Sequence, residues 1–197
     1  IEMYQKEGIN VHYCGHPLIK QLPEKADREQ FFAKHGLDTT RPLVSIFPGS
    51  RTIELRFLAN TFIKSAKQLQ KKHPEIQFCI SHAPNLSDDI FDKYINGTDF
   101  KVIKGENQAL LSISDSLILA SGTVALEAAL YQIPMIIGYK GPWILYLAYL
   151  MVRCIKKVSL PNIITGEDIV PELIQAKFNT ENICYETEKN LYNKEYR

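Results

Sequence analysis

The sequence predicts an α/β fold, a parallel sheet with helices on both faces. Three observations carry this reading. Short, unbroken apolar runs such as 117–120 and 135–139 are too short for amphipathic helices and suit buried parallel strands. Segments with helical periodicity alternate with those runs, as a parallel sheet with crossover helices requires. Twice, at 48–51 and 121–123, a glycine-containing turn joins a strand to the helix that follows.

Length and composition bound the class. The chain has 197 residues, enough for one large α/β domain, with 45% hydrophobic and 23% charged residues. The net charge of +1 gives no global field that would favour nucleic acid. No apolar run is long enough to span a bilayer, and no signal peptide is expected. The cysteines Cys14, Cys79, Cys154 and Cys184 are far apart and form no C-x-x-C pair. They predict a reducing compartment, no disulfide framework and no zinc site. The chain starts at Ile1 and stops in a polar helical pattern, so a piece of a longer protein is expected.

Taken in order, 11–14 is a short strand candidate, followed by the turn Gly15, His16, Pro17. His16 could touch a ligand or simply shape the turn. A connector spans 18–24. A short helix follows over 27–36, with Asp27 as cap and Gly36 as stop. The strand 43–47 leads into Pro48, Gly49, Ser50 and Arg51, then a long helix over 52–72. Leu55, Leu58, Ala59, Phe62, Ile63, Ala66 and Leu69 give that helix an apolar stripe at helical spacing. In the turn, Gly49 permits close backbone approach and Ser50 can cap. Arg51 either offers a planar cation to a diphosphate or pairs with Glu54 on the surface. The spacing is not that of a Walker A loop.

Strands over 76–81 and 100–103 and helices over 87–95 and 107–112 follow. The strand 117–120, the turn Ser121, Gly122, Thr123, the helix 124–131 and the strand 135–139 then form the central unit. A helix N-terminus at the carboxyl edge of a parallel sheet gathers unpaired N–H groups and suits a phosphate. Glu127 lies one helical turn after Thr123 and could accept hydrogen bonds from two sugar hydroxyls. The same residues also fit an ordinary crossover with a solvated Glu. Beyond it, WILYLAYLMV at 143–152 precedes Arg153, Lys156 and Lys157, a segment that is either a buried helix or one that lies in a membrane interface. Pro161 breaks regular structure and places Asn162 on a loop, where its amide either forms a turn or meets a phosphate or sugar. Pro171 then opens a helix over 172–176, and 179–196 is a polar helix capped by Asn179 or Thr180.

The motifs GHPL at 15–18, PGSR with Glu54, ASGTVALEAAL at 120–130, PMIIGYK at 134–140 and VSLPNII at 158–164 occur together in this order. With them the chain, from about Tyr4 to about Gln175, resembles the C-terminal half of the lipid-A-disaccharide synthase family. The resemblance implies one Rossmann-like half of a GT-B glycosyltransferase. It divides the chain into the end of the N-terminal half and crossover (1–17), a nucleotide-sugar-binding domain (18–176) and a C-terminal helical tail (177–197).

The resemblance further implies a hexosyltransferase of lipid A biosynthesis, joining UDP-2,3-diacylglucosamine to 2,3-diacylglucosamine 1-phosphate (lipid X). The products would be a β-1,6 disaccharide and UDP. Carried over by motif, Arg51 and Asn162 lie by the donor diphosphate and stabilise the leaving group. Gly49 and Ser50 shape that site, while Ser121, Gly122 and Thr123 supply the helix N-terminus and Glu127 holds the ribose. No metal and no cofactor is implied, and the general base is expected in the N-terminal half, so this piece alone is expected to be inactive. The family works on the inner face of the cytoplasmic membrane of Gram-negative-type bacteria. This favours a peripheral contact through the segment from Trp143 to Lys157, and a homodimer is possible by exchange of C-terminal segments. Two other functions fit parts of the pattern: a UDP-N-acetylglucosamine 2-epimerase-like domain, and a non-catalytic nucleotide- or lipid-binding module.

Overall fold

The computed structural model describes residues 2–12, 15–142 and 157–196. Its centre is a six-stranded sheet built from β1 (Leu43–Phe47), β2 (Gln77–His82), β3 (Lys101–Lys104), β4 (Ser116–Ala120), β5 (Met135–Tyr139) and β6 (Glu172–Ile174). The strand order is β3-β2-β1-β4-β5-β6, and every neighbouring pair is parallel. The chain therefore winds outward from β1 to β3, returns to the middle, and winds outward the other way. The order reverses between β1 and β4, where Phe47 stands opposite Leu119. Every residue of β1 and β4 is buried, which is why these strands, apart from Ser45 and Ser116, read as apolar runs rather than alternating ones.

Successive strand residues feed opposite faces. Val44, Ile46, Ile80, Ile118 and Ile136 pack beneath α4 (Thr52–Lys72), α5 (Asp88–Ile95) and α9 (Thr180–Tyr192). Leu43, Phe47, Cys79, Leu117, Leu119 and Ile137 pack beneath α3 (Arg28–His35), α6 (Asn107–Ile113) and α7 (Val124–Leu130). The whole predicted stripe of α4 is buried. Each of its leucines and Phe62 contributes about 1.5–3 kcal/mol by leaving water. Two short helices, α1 (Glu2–Lys6) and α2 (Leu18–Gln21), precede the sheet, and α8 (Leu160–Thr165) precedes β6.

Local signals hold at α3, where the Asp27 carboxylate accepts from Gln30 N–H and Gly36 closes the helix in the left-handed region at φ 63°. At α9 the Asn179 side chain accepts from Asn182 N–H. Elsewhere the structure corrects the sequence reading. Val11 and His12 are not in a strand, and residues 13 and 14 lie outside the described ones. The connector at 18–24 contains α2.

Pro161 does not hold Asn162 on a loop. It sits in the first turn of α8, where a missing N–H costs nothing, and Asn162 is within that helix. Nor does Pro171 open a helix. The segment after it is the edge strand β6, with Leu173 buried between the partly exposed Glu172 and Ile174, followed by a 3-10 turn over Gln175–Lys177. Proline is tolerated just before an edge strand, and three residues are too few for their period to separate strand from helix. The apolar segment 143–152 and its basic neighbours Arg153 and Lys156, like Cys14 and Cys154, lie outside the described residues. Lys157 is described and pairs with Asp168. Among the described residues no helix is long and apolar enough to cross a membrane.

Candidate functional site

The two strand–glycine–helix turns meet where the strand order reverses. Each leaves the carboxyl end of a central strand, and β1 and β4 are neighbours, so Gly49 to Arg51 and Ser121 to Thr123 face one crevice of about 470 Å³. Gly49, Ser50, Arg51, Ser121, Gly122, Thr123 and Glu127 all line it.

The first turn is built around a carboxylate. Glu54 Oε2 accepts from Ser50 N–H at 2.7 Å and from Arg51 N–H at 3.2 Å, so α4 carries its own anion at its N-terminus. Gly49 makes the room for it, at φ 109°, because a Cβ there would stand 2.7 Å from that of Glu54. Ser50 does not cap α4 with its side chain. Its carbonyl accepts from Asn85 Nδ2 at 2.5 Å, which fixes the turn from the β2 side. Arg51 Nη1 reaches Glu54 Oε1 at 3.3 Å, yet the Arg51 side chain is 76% exposed. An exposed pair of this kind is worth about 0–1 kcal/mol, so the guanidinium is tethered only loosely.

The second turn is held differently. Ser121 N–H donates to Gly138 O at 3.2 Å, and its hydroxyl donates to Val158 O at 2.9 Å. Thr123 stands at the N-cap position, but its hydroxyl makes no cap hydrogen bond. The N–H groups of Gly122 and Thr123 have no partner among the described residues, and both residues are exposed to the crevice. One turn along α7, Glu127 is half-buried. Burial pushes its carboxyl above the usual value, against a hydrogen bond from Gln108 that lowers it.

Ser81, Asn107 and Gln108 also line the crevice, and Ser81 Oγ donates to Asn107 Oδ1 at 2.9 Å. Sequence reasoning located the start of α6 but not its part in the site. The available signal was a third strand–glycine–helix passage, β3 to Gly105 to α6.

Asn162 does not join this group. It is 1% exposed, and its Nδ2 donates to Val170 O and to Glu172 Oε1, both at 2.9 Å, while its Oδ1 accepts from Val170 N–H at 3.0 Å. Both amide protons are spent inside the protein. Asn162 instead borders a larger cavity, about 570 Å³, against Pro134, Met135 and Pro171 at the amino ends of β5 and β6. Ligands of open parallel sheets bind at the carboxyl ends at a reversal of strand order, so the smaller crevice is the candidate. His16 serves its own turn, its Nδ1 accepting from Leu18 N–H at 3.2 Å. Chemically, the crevice offers one exposed guanidinium, two open backbone donors and a carboxylate a helical turn away. That set suits an anion joined to a polyhydroxylated group.

Known structures share the fold. The UDP-GlcNAc 2-epimerase from Neisseria meningitidis, solved bound to UDP-GlcNAc, superposes with a TM-score of 0.65 at 17% identity, over 98% of this chain and 51% of that one. The ADP-heptose LPS heptosyltransferase II of E. coli gives 0.61 at 13% identity, over 89% and 57%. At such identities these likenesses speak for the Rossmann-like fold alone.

Sequence relatives are closer. The lipid-A-disaccharide synthase of Hydrogenovibrio crunogenus is 34% identical over 201 residues, covering 98% of this chain and 53% of that protein. That of Geobacter sulfurreducens is 33% identical over 193 residues, covering 97% and 50%. The chain thus spans about half the length of the curated relatives it matches. The family model for lipid-A-disaccharide synthetase matches residues 1–197, and with the ordered PGSR, SGT and SLPN motifs on a Rossmann-like sheet, the chain belongs to the lipid-A-disaccharide synthetase family.

Proposed function

We propose that this chain is the donor-nucleotide-binding half of an inverting hexosyltransferase that joins UDP-2,3-diacylglucosamine to lipid X, giving the β-1,6 disaccharide and UDP. The observation that carries the reading is the convergence of the PGSR and SGT turns on one crevice, in a chain of this family. The diphosphate is received by Arg51 and by the open N–H groups of Gly122 and Thr123. Glu127 accepts from the ribose hydroxyls, with Gln108 steadying its carboxylate.

As the bond to the anomeric carbon breaks, negative charge grows on the leaving diphosphate. A guanidinium and fixed backbone dipoles favour that charge more in the transition state than in the ground state. The base that removes the acceptor proton belongs to the part of the relatives' length that this chain does not span. The acyl chains of both substrates place the reaction at the inner face of the cytoplasmic membrane, with 143–157 as the contact and a homodimer as the assembly. The epimerase reading rests on fold likeness alone, whereas family membership favours transfer.

The test is a calorimetric titration of the full-length protein with UDP, beside Arg51→Ala and Glu127→Ala. Each substitution is expected to weaken binding by about 1–3 kcal/mol, the range for a charge-assisted hydrogen bond. Unchanged affinity in both variants would overturn the assignment of the crevice.

A further inference from the structure

Glu172 has no part in the crevice, yet its carboxylate gathers four donors. Oε2 accepts from Val158 N–H at 2.9 Å, and Oε1 accepts from Ser159 N–H at 2.9 Å, Ser159 Oγ at 2.6 Å and Asn162 Nδ2 at 2.9 Å. Three of the four donors share Oε1 and one takes Oε2, so Oε1 is crowded with hydrogen bonds. Ser159 and Asn162 are 0% and 1% exposed and Glu172 is partly exposed, so the carboxylate is held from the protein side by two buried side chains rather than by chance surface contacts. Ser159 sits at the N-cap of α8 but gives the helix no side-chain cap. Its hydroxyl is committed to Glu172, and the carboxylate takes over the work of ordering the entry to α8.

The network reaches the crevice through one residue. Val158, whose N–H is held by Glu172, offers its carbonyl to Ser121 Oγ at 2.9 Å. Ser121 begins the turn that carries the open N–H groups of Gly122 and Thr123. Asn162 ties the same assembly to the entry of β6 through Val170, by a paired bond with both N–H and C=O.

We propose that Glu172 is a positioning residue for the anion-binding turn, acting through Val158 and Ser121, and that Asn162 is its partner rather than a ligand of the diphosphate. This rests on the reading of the crevice as the donor site. It also gives the SLPN motif a physical role at a distance: its serine and asparagine orient the carboxylate that sets the position of Val158. Gln at 172 would turn an NH2 group toward donors, so Glu172→Gln breaks the network while changing little in volume.

Two readouts on the full-length protein separate this proposal from the one it rests on. The first needs no ligand: amide hydrogen exchange, by mass spectrometry, of the peptide spanning 121–126. Glu172→Gln is expected to speed exchange there at least tenfold, with little change in peptides of α4 or β1. Equal exchange in parent and variant overturns the positioning role whether or not UDP binds. The second is UDP affinity in a cycle of Glu172→Gln, Ser121→Ala and the double variant. Glu172→Gln is expected to weaken UDP about tenfold, and the double variant is expected to be no weaker than Glu172→Gln alone, because both act on one path. Losses that multiply would mean independent actions and would overturn it too. If Glu172→Gln does not fold, Ser159→Ala removes one donor and leaves the carboxylate. It should still raise exchange at 121–126 several-fold, and no rise would count against the proposal.

Discussion

At Gly49 a single hydrogen atom in place of a side chain decides the shape of the first turn. Ala at this position meets Glu54 and must also hold φ 109°, a region L-residues rarely adopt. Gly49→Ala is expected to cost about 1–3 kcal/mol in a urea denaturation series. Adding Glu54→Ala is not expected to restore stability, since the Cβ at 54 and the backbone strain both remain and the hydrogen bonds to Ser50 and Arg51 N–H are lost. Glu127 makes a prediction in pH. Its carboxyl is raised from the ordinary 4.5, first by burial, so it takes up a proton at higher pH than a free Glu. In the window above 4.5 the native state then binds more protons than the unfolded one, and stability falls as pH rises through it. Nucleotide binding by the ionised carboxylate should run the opposite way, weakening as pH falls through the same window. Titrations across that range are expected to lose this dependence in Glu127→Gln.

Elements differed in how openly the sequence announced them. β1 and α4 were legible to the residue, because a five-residue run with four apolar members and a seven-member stripe leave little choice of structure. β6 was not legible. Its sequence ELI has one buried residue, and it becomes a strand only because β5 offers an edge, with Ile137 N–H donating to Pro171 O at 2.9 Å. The same limit applied at the site. Glycine turns at 49 and 122 are local signals and could be read. The placement of Asn162 depends on Val170 and Glu172, eight and ten residues away in the bend before β6 and in β6 itself, and no local pattern encodes that. Packing between elements gives a further test. In β5, Gly138 lies under Phe62 of α4 and Phe178, whose rings meet edge to face at 5.1 Å. A Cβ at 138 would come within 2.8 Å of Phe62 and closer still to Phe178. Gly138→Ala is therefore expected to cost about 1–3 kcal/mol by overpacking, with Phe178→Leu partly restoring stability in the double variant.

For the whole molecule, the order of strands matters more than any one of them. The crevice exists because β1 and β4 are adjacent in space although α4, α5 and α6 lie between them in the chain. That arrangement has a cost in time. β1 is the hub of the sheet, all five of its residues are buried, and four of them are apolar. One of its edges is covered by β2 soon after synthesis, but the other stays open until residues 116–120 have been made. During that interval the emerging polypeptide displays an uncharged, unpaired edge, the kind that pairs with copies of itself. A chain ended at Asp115 is accordingly expected to pellet on centrifugation under conditions where the 197-residue chain stays in the supernatant. The reversal that creates a binding crevice thus also sets the moment at which the growing polypeptide is most exposed to aggregation.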